Sequence, residues 1–240
     1  MKSICIVPIY NEFDKLQNLI NKIQKISQNN HDIDFLLIDN GSDDGSSKII
    51  ENSKIKFIKF DKNYGVGFAL IQGLKYSLNN HYELTLHIAG NGKMNPNEIR
   101  NFINKIEIEN YDFVNGSRFL IKENYKTNPK FRIYAIKLLS ILISILYRKK
   151  LTDVTCGFRA FKNSIFRNHY DFFNKEKFYT YRYEYYSYGK VLNNKKFNIC
   201  EIPVEMKYKK KNYSKIRPIV DWFPIIFGYL EARFDNKKFL

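Results

Sequence analysis

The sequence predicts an α/β fold with one mostly parallel central sheet and helices on both faces. Through the first half of the chain, short apolar runs alternate with amphipathic stretches of helical spacing, the βαβ rhythm of a parallel sheet. The runs are apolar at successive positions, as in strands covered on two sides. Among 240 residues, 44% apolar and 16% aromatic content supplies a substantial core and argues against disorder. No internal repeat and no Pro/Gly/Ser linker divides the chain, so residues 1–240 read as a single domain with two functional halves, 1–121 and 122–240.

The first strand is "SICIVP", and Pro8 turns the chain out of the sheet. That leaves Tyr10, Asn11 and Glu12 at the carboxyl edge, where an aromatic and a carboxylate suit a nucleobase. The plain alternative is an ordinary strand exit. A helix over Phe13–Ser27 leads to the strand "DFLLID", which ends in Asp39 and the turn "NGSDDGS". The turn lacks the spacing of a calcium loop, since Gly41 stands at its third position and no glutamate closes it. A Ser N-cap with acids complementing a helix dipole explains Ser46 and Asp44 but leaves Asp39 unexplained. Helix Ser46–Glu51 and strand "IKFIKF" follow, then "NYGVGFA" with Asn63, Gly65 and Gly67. This turn fails the dinucleotide pattern, because Leu70 stands where a third Gly or Ala belongs. A Gly-rich helix start still lets backbone amides approach a phosphate. After helix Val66–Leu78 comes strand "LTLHIA" and the turn "GNGKMNP", in a place where open α/β sheets bind ligands. No Asp or Glu lies between Glu83 and Glu98. Helix Pro96–Ile108 and strand "YDFVNG" complete this half.

The second half is less regular. It holds a basic apolar helix (Tyr134–Lys150), a loop "LTDVTCGFRAF" and an aromatic helix around Tyr179–Leu192. A strand "FNICEIPVEMKY", a basic run "KYKKKNYSKIRP" and a last helix "PIVDWFPIIFGYLEARF" follow. In the loop, Asp153, Thr155 and Arg159 surround a Gly turn suited to shaping a sugar pocket; a purely structural loop is the alternative.

The net charge of +16 is concentrated here: residues 1–121 hold 14 Lys+Arg and 14 Asp+Glu, residues 122–240 hold 26 against 10. Such a field points to an anionic partner, namely phosphate groups, an acidic membrane surface or nucleic acid. The basic run interleaved with aromatics suits single-stranded nucleic acid, but that reading leaves the carboxylate-bearing strand tips unused, so no nucleic acid is expected. Tyr134–Lys150 is too short to span a bilayer and the last helix carries Asp221 and Pro224. Both can lie at an interface, with Trp222 and Tyr229 at the boundary, or be core helices. Cys5, Cys156 and Cys200 are far apart without metal-ligand spacing, which argues for a reducing compartment. The N-terminal apolar stretch is too short for a signal peptide. The expected location is cytoplasmic, peripheral on the inner face of the membrane.

Taken in order, "PIYNE", "DNGSDDGS", "NYGVGFA", "YDFVNGSRF" and "DVTCGFRAF" resemble glycosyltransferase family 2, inverting enzymes with a GT-A (Rossmann-like) fold. The closest likeness is to the dolichyl- or polyprenyl-phosphate sugar synthase branch, and it runs from Ile6 to about Arg217. The resemblance implies that Pro8, Tyr10, Glu12 and Asp39 hold base and ribose, within a nucleotide-sugar set that adds Gly41, Asn63, Gly65 and Asn91. It implies the "GNG" turn for metal and diphosphate, Arg118 for the sugar-phosphate region, and Arg132, Lys215 and Arg217 for phosphates of donor or acceptor. On chemistry alone, Arg118 and Arg132 suit bidentate phosphate clamps, the alternative being solvated surface arginines. The family's Asp-x-Asp pair aligns with Ala89 and Asn91, which leaves one side-chain carbonyl, so Mg2+ or Mn2+ is expected to be weakly held. Lys93 follows closely and can place an ammonium near the leaving diphosphate. The implied reaction moves a hexose from a GDP- or UDP-linked sugar to a polyprenyl phosphate. An acceptor that is already anionic needs little general base, whereas a sugar hydroxyl needs a carboxylate, for which Asp153 and Glu184 are the candidates. A glycan-extending transferase and a catalytically silent nucleotide-sugar-binding relative are the alternatives.

Overall fold

The computed structural model describes residues 1–30, 32–125, 129–206 and 222–235. Its strands are β1 (Ser3–Ile9), β2 (Ile33–Asn40), β3 (Lys56–Phe60), β4 (Leu84–His87), β5 (Phe113–Ser117), β6 (Arg159–Lys162) and β7 (Ile199–Pro203). Its helices are α1 (Phe13–Asn29), α2 (Ser46–Glu51), α3 (Val66–Asn79), α4 (Ile99–Glu107), α5 (Lys130–Tyr147), α6 (Arg182–Asn193) and α7 (Trp222–Phe234). The strands form one sheet in the order β3-β2-β1-β4-β6-β5-β7. β6 runs antiparallel to both neighbours, and all other pairs are parallel. The expected sheet is therefore present.

Strand alternation shows why both faces are covered. Ile4, Ile6, Leu36 and Ile38 point to a core shared with α3, α5, α6 and α7. Cys5, Val7, Ile9, Phe35 and Leu37 point the other way, to a core shared with α1 and α4. Two expectations are corrected. The segment "LTDVTCGFRAF" does not stay a loop, because its last residues form β6. Four residues make a poor strand signal alone, and β6 is held because β4 and β5 supply ladder partners on either side. β3 is not covered on both sides; it is an edge whose Lys56, Phe57 and Lys59 are exposed, the charges protecting its free backbone groups.

Successive strands move from β1 outward to β2 and β3, and the chain then returns to place β4 on the other flank of β1. The order reverses between β1 and β4, which opens a crevice at their carboxyl ends. α3 enters this region pressed against residues 178–180: Phe68 N donates to Tyr179 O at 3.2 Å. A Cβ on Gly67 would overlap the carbonyl oxygens of Phe178 and Thr180. Gly67→Ala should therefore cost about 1–3 kcal/mol, because backbone atoms cannot swing aside as side chains do. The measurement is the urea midpoint, and an unchanged midpoint would contradict the close approach.

Candidate active site

A cavity of about 600 Å³ occupies the crevice. β1 and the turn after it supply Pro8, Tyr10 and Glu12; β2 ends in Asn40; the turn before α3 gives Asn63 and Gly65. β4 and its turn supply His87, Asn91 and Lys93, while Arg118, Arg132, Thr155 and Glu184 close the opposite side.

The left wall is assembled by cross-bracing of turns. Asn11, in the left-handed region at φ 51°, donates from Nδ2 to Asp43 at 2.7 Å and accepts from Asp43 N at 3.0 Å. Glu12 N donates to Ser46 Oγ at 3.0 Å and Phe13 N to Asp44 Oδ2 at 2.9 Å. The acids and serines of "NGSDDGSS" thus hold the turn that presents Tyr10 and Glu12. Asp39, expected at the base and ribose, is fully buried and does not line the cavity. Its carboxylate accepts from Ser42 N at 3.0 Å and from the Ser47 hydroxyl, so it shapes the loop from within. Gly41 likewise stays outside the cavity. At φ +75° it lets the loop press onto the backbone of Lys62, and a Cβ there would overlap it.

The neighbouring residue, which the sequence pattern did not single out, does face the cavity. Asn40 Nδ2 donates to Asn63 Oδ1 at 2.9 Å and to Gly65 O at 3.1 Å, and its Oδ1 accepts from Tyr64 N at 3.3 Å. The amide is locked between β2 and the turn before α3. The Gly-rich start of α3 does not act as an open phosphate cradle, since Gly65 N is taken by Asn63 Oδ1 at 2.8 Å and the first turn faces residues 178–180.

On the right wall Arg118 lines the cavity but is only 2% exposed, and its guanidinium is committed to Asp153. Nε donates to Oδ2 at 2.6 Å, Nη2 to Oδ1 at 2.7 Å, and Nη2 also to Thr155 Oγ1 at 2.6 Å. Asp153 is fully buried behind the cavity wall, and both its carboxylate oxygens are taken up by Arg118, which it positions. Asn115 donates to the Asp153 carbonyl at 2.9 Å, and Glu201 accepts from Thr152 N at 2.7 Å and Asp153 N at 3.2 Å. Arg159, expected near a sugar pocket, lies beneath the floor and does not line it. It donates to Asn115 Oδ1 at 3.1 Å and Glu184 O at 2.6 Å, between the rings of Tyr185 and Tyr188. Lys215 and Arg217 fall outside the described residues.

Two titratable groups at the floor are shifted by their surroundings. Burial pushes the Glu184 carboxyl up, only partly offset by the Arg159 charge. Burial, with help from Arg159, pushes the His87 imidazole down to about 3, so it stays neutral at physiological pH. His87 Nε2 has no hydrogen-bond partner among the described residues. In the sequence His87 stands out only as a polar residue at the tip of an apolar strand.

The turn after β4 folds back on β1, with Gly90 N donating to Pro8 O at 3.2 Å. Asn91 Oδ1 accepts from Lys93 N at 3.1 Å, and Ala89 has no ligand atom. No group of His, Cys, Asp or Glu among the described residues is arranged to hold a metal ion. One neutral carbonyl, already engaged, does not make a dedicated divalent-cation site.

The profile of the family described as Glycosyl transferase family 2 matches residues 4–170. A UDP-N-acetylglucosamine–dolichyl-phosphate N-acetylglucosaminyltransferase of Methanococcus voltae is 27% identical over 94% of this chain and 93% of its own. A polyprenol monophosphomannose synthase of Mycolicibacterium smegmatis is 20% identical over 90% of this chain and 81% of its own. Among solved structures, glucosyl-3-phosphoglycerate synthase of Mycobacterium tuberculosis, in complex with Mn2+, UDP and phosphoglyceric acid, superposes with a TM-score of 0.74. That match covers 97% of this chain and 78% of the other at 13% identity, and it shows the GT-A fold alone.

The Arg118–Asp153 pair yields a stability test. Removing either partner alone, as in Arg118→Ala or Asp153→Asn, should cost about 3–5 kcal/mol by leaving its mate buried without full compensation. Replacing both with apolar residues should cost less than either single change. Urea denaturation of the cycle measures this, and additive losses would contradict the coupling.

Proposed function

The chain belongs to glycosyl transferase family 2, and we propose that this glycosyltransferase moves a hexose from a nucleotide-diphosphate sugar to a polyprenyl (dolichyl-type) phosphate, with inversion at the anomeric carbon. The observation that carries the reading is a cavity that gathers cations from separate elements, Lys93, Arg118 and Arg132, together with the nucleotide-side wall of Tyr10, Glu12, Asn40 and Asn63. Similarity along nearly the whole chain to an enzyme named for dolichyl phosphate supports the acceptor class. The donor is a UDP- or GDP-linked sugar in this reading.

In this reaction an acceptor phosphate oxygen bonds to the anomeric carbon as the bond to the diphosphate breaks, and the nucleoside diphosphate departs with the electron pair. The nucleophile is anionic before it binds, so positioning and charge neutralisation supply most of the acceleration. Arg118, held by Asp153 and Thr155, brings a charge whose place is set before substrates arrive. Arg132, in the first turn of α5, adds a second from the acceptor half. Lys215 and Arg217 remain assigned to the acceptor phosphate as proposals from sequence. The reaction is expected at the anionic inner surface of the cytoplasmic membrane, because the acceptor is a lipid.

One observation favours a second reading. Glu184 is a cavity carboxyl with a raised pKa, the property of a general base for a sugar hydroxyl. Incubation with labelled UDP- and GDP-sugars separates the two. Lipid-linked product from a short-chain polyprenyl phosphate supports the first, and product only with glycan acceptors supports the second. Glu184→Gln sharpens the choice. On the lipid route activity should fall by less than about tenfold, and on the hydroxyl route by about 100- to 10,000-fold.

The mycobacterial glucosyl-3-phosphoglycerate synthase, which shares this fold, is in complex with Mn2+. Here we assign weak dependence on Mg2+ or Mn2+, with Lys93 offsetting charge on the leaving diphosphate in place of the missing carboxylates. Turnover should largely survive EDTA, and Lys93→Gln should abolish it or make it strictly dependent on added magnesium. Complete, magnesium-reversible loss for the wild type in EDTA would overturn the assignment.

A further inference from the structure

The helices α5 and α7 are apolar on two opposite faces, and only one face of each is covered. Ile136, Leu139, Ser140, Ile143 and Tyr147 of α5 turn into the core beneath the sheet. On its other side Phe131, Tyr134, Leu138, Ile141, Leu142 and Ile145 form a stripe, each between 54% and 80% exposed. Their spacing follows the helical repeat, so they share one face. α7 repeats the arrangement: Ile225, Gly228, Tyr229 and Ala232 are buried, while Phe223, Phe227, Leu230 and Phe234 are exposed. The helices are joined near their carboxyl ends, where the Tyr147 hydroxyl donates to Tyr229 O at 2.6 Å and Arg233 Nε to Leu146 O at 3.1 Å. Both cover the same face of the sheet, and their stripes turn away from it. Scattered apolar side chains are ordinary on a protein surface, but two aligned stripes on touching helices are a patch.

Charge identifies what covers it. α5 contains no acidic residue. Lys130 and Arg132 lie at its start and Arg148, Lys149 and Lys150 directly beyond its end, cations at both ends of an apolar stripe. Long basic side chains so placed reach anionic head groups while the stripe between them enters the acyl boundary. A second copy of this chain would bring the same cations face to face, a repulsive arrangement. No helix among the described residues is long and apolar enough to cross a membrane, so the patch is suited to lying on one.

We propose that the exposed faces of α5 and α7 form one bilayer-docking surface, inserted among lipid acyl chains and flanked by cations on anionic head groups. The inference rests on the lipid-acceptor reading only for its relevance to catalysis; the surface itself stands on exposure and charge. Its functional content lies in Arg132, which lines the cavity from the same helix that meets the lipid. Docking α5 would set the cavity beside the head groups, so that a lipid phosphate enters without leaving the membrane.

The chain carries its own reporter, because Trp222 is its sole tryptophan and directly precedes Phe223. With vesicles of mixed phosphatidylglycerol and phosphatidylcholine, the wild type should float, its Trp222 emission should move to shorter wavelength, and brominated acyl chains should quench it. The variant Leu142→Glu with Ile145→Glu replaces exposed side chains, so its urea midpoint should match wild type while its partition coefficient falls by at least about tenfold. Phe227→Glu tests the other helix independently. High salt should weaken binding and neutral vesicles should bind less well. Wild-type partitioning by both variants, or an unquenched Trp222, would overturn the proposal. So would a wild-type dimer in sedimentation that the same substitutions split, because the patch would then belong to a second copy. Vesicle binding without transfer to polyprenyl phosphate leaves the surface in place and removes the acceptor; transfer to a soluble short-chain acceptor by a protein that ignores vesicles does the reverse.

Discussion

The fold depends on four residues of backbone pairing. β6 stands between β4 and β5, and without it the strands that carry the left wall would share no ladder with those that carry the right. It runs against its neighbours, and it is short, so its stability comes from being completed on both sides rather than from its own composition. The same strand brings Arg159 under the cavity floor, where Asn115 and the carbonyl of Glu184 hold it from both halves of the chain.

Much of this was legible in the sequence because it depends on local periodicity and turn chemistry. Strand tips at Pro8–Glu12 and the turn at Asn63–Gly65 can be placed by pattern alone, and both reach the cavity. What pattern did not supply has a common physical origin. Asp39 and Asn40 are adjacent, and in a strand adjacent residues face opposite ways, so pattern marks the strand tip without telling which of the two lines the cavity. Arg118 can be named from its motif, but the Asp153 that fixes its guanidinium lies 35 positions away in sequence. Gly67 reads as a phosphate-binding glycine until residues 178–180 are seen against it. Periodicity reports what a segment can do alone, and it is silent about which distant segment will occupy its free groups. The missing carboxylates after β4, by contrast, were visible at once, because an absence needs no partner.

Charge is used here in two distinct ways. Arg118 and Arg159 are buried, and each is fixed by hydrogen bonds or aromatic faces, so their positions are part of the fold. Lys130, Arg148 and Lys150 are instead exposed, around the ends of an apolar helix. Fixed charge gives geometry to a reaction that is mostly electrostatic, while solvated charge gives attraction over distances up to a Debye length. A neutral His87 fits this division: burial keeps it from adding a third, pH-dependent kind.

The single ladder through β6 has a further consequence for how two substrates meet. An enzyme built from two hinged lobes can set its catalytic spacing late, by closing after both ligands are aboard. A sheet that is continuous from β3 to β7 cannot bend between β4 and β5 without breaking hydrogen bonds at its centre. The distance from the nucleotide wall to Arg118, which directly follows β5, is therefore set by the sheet, like the gap of a caliper locked at one setting. In the proposed reaction a donor of the wrong reach would leave its anomeric carbon short of the acceptor or beyond it, so that rigidity itself would select for sugar size.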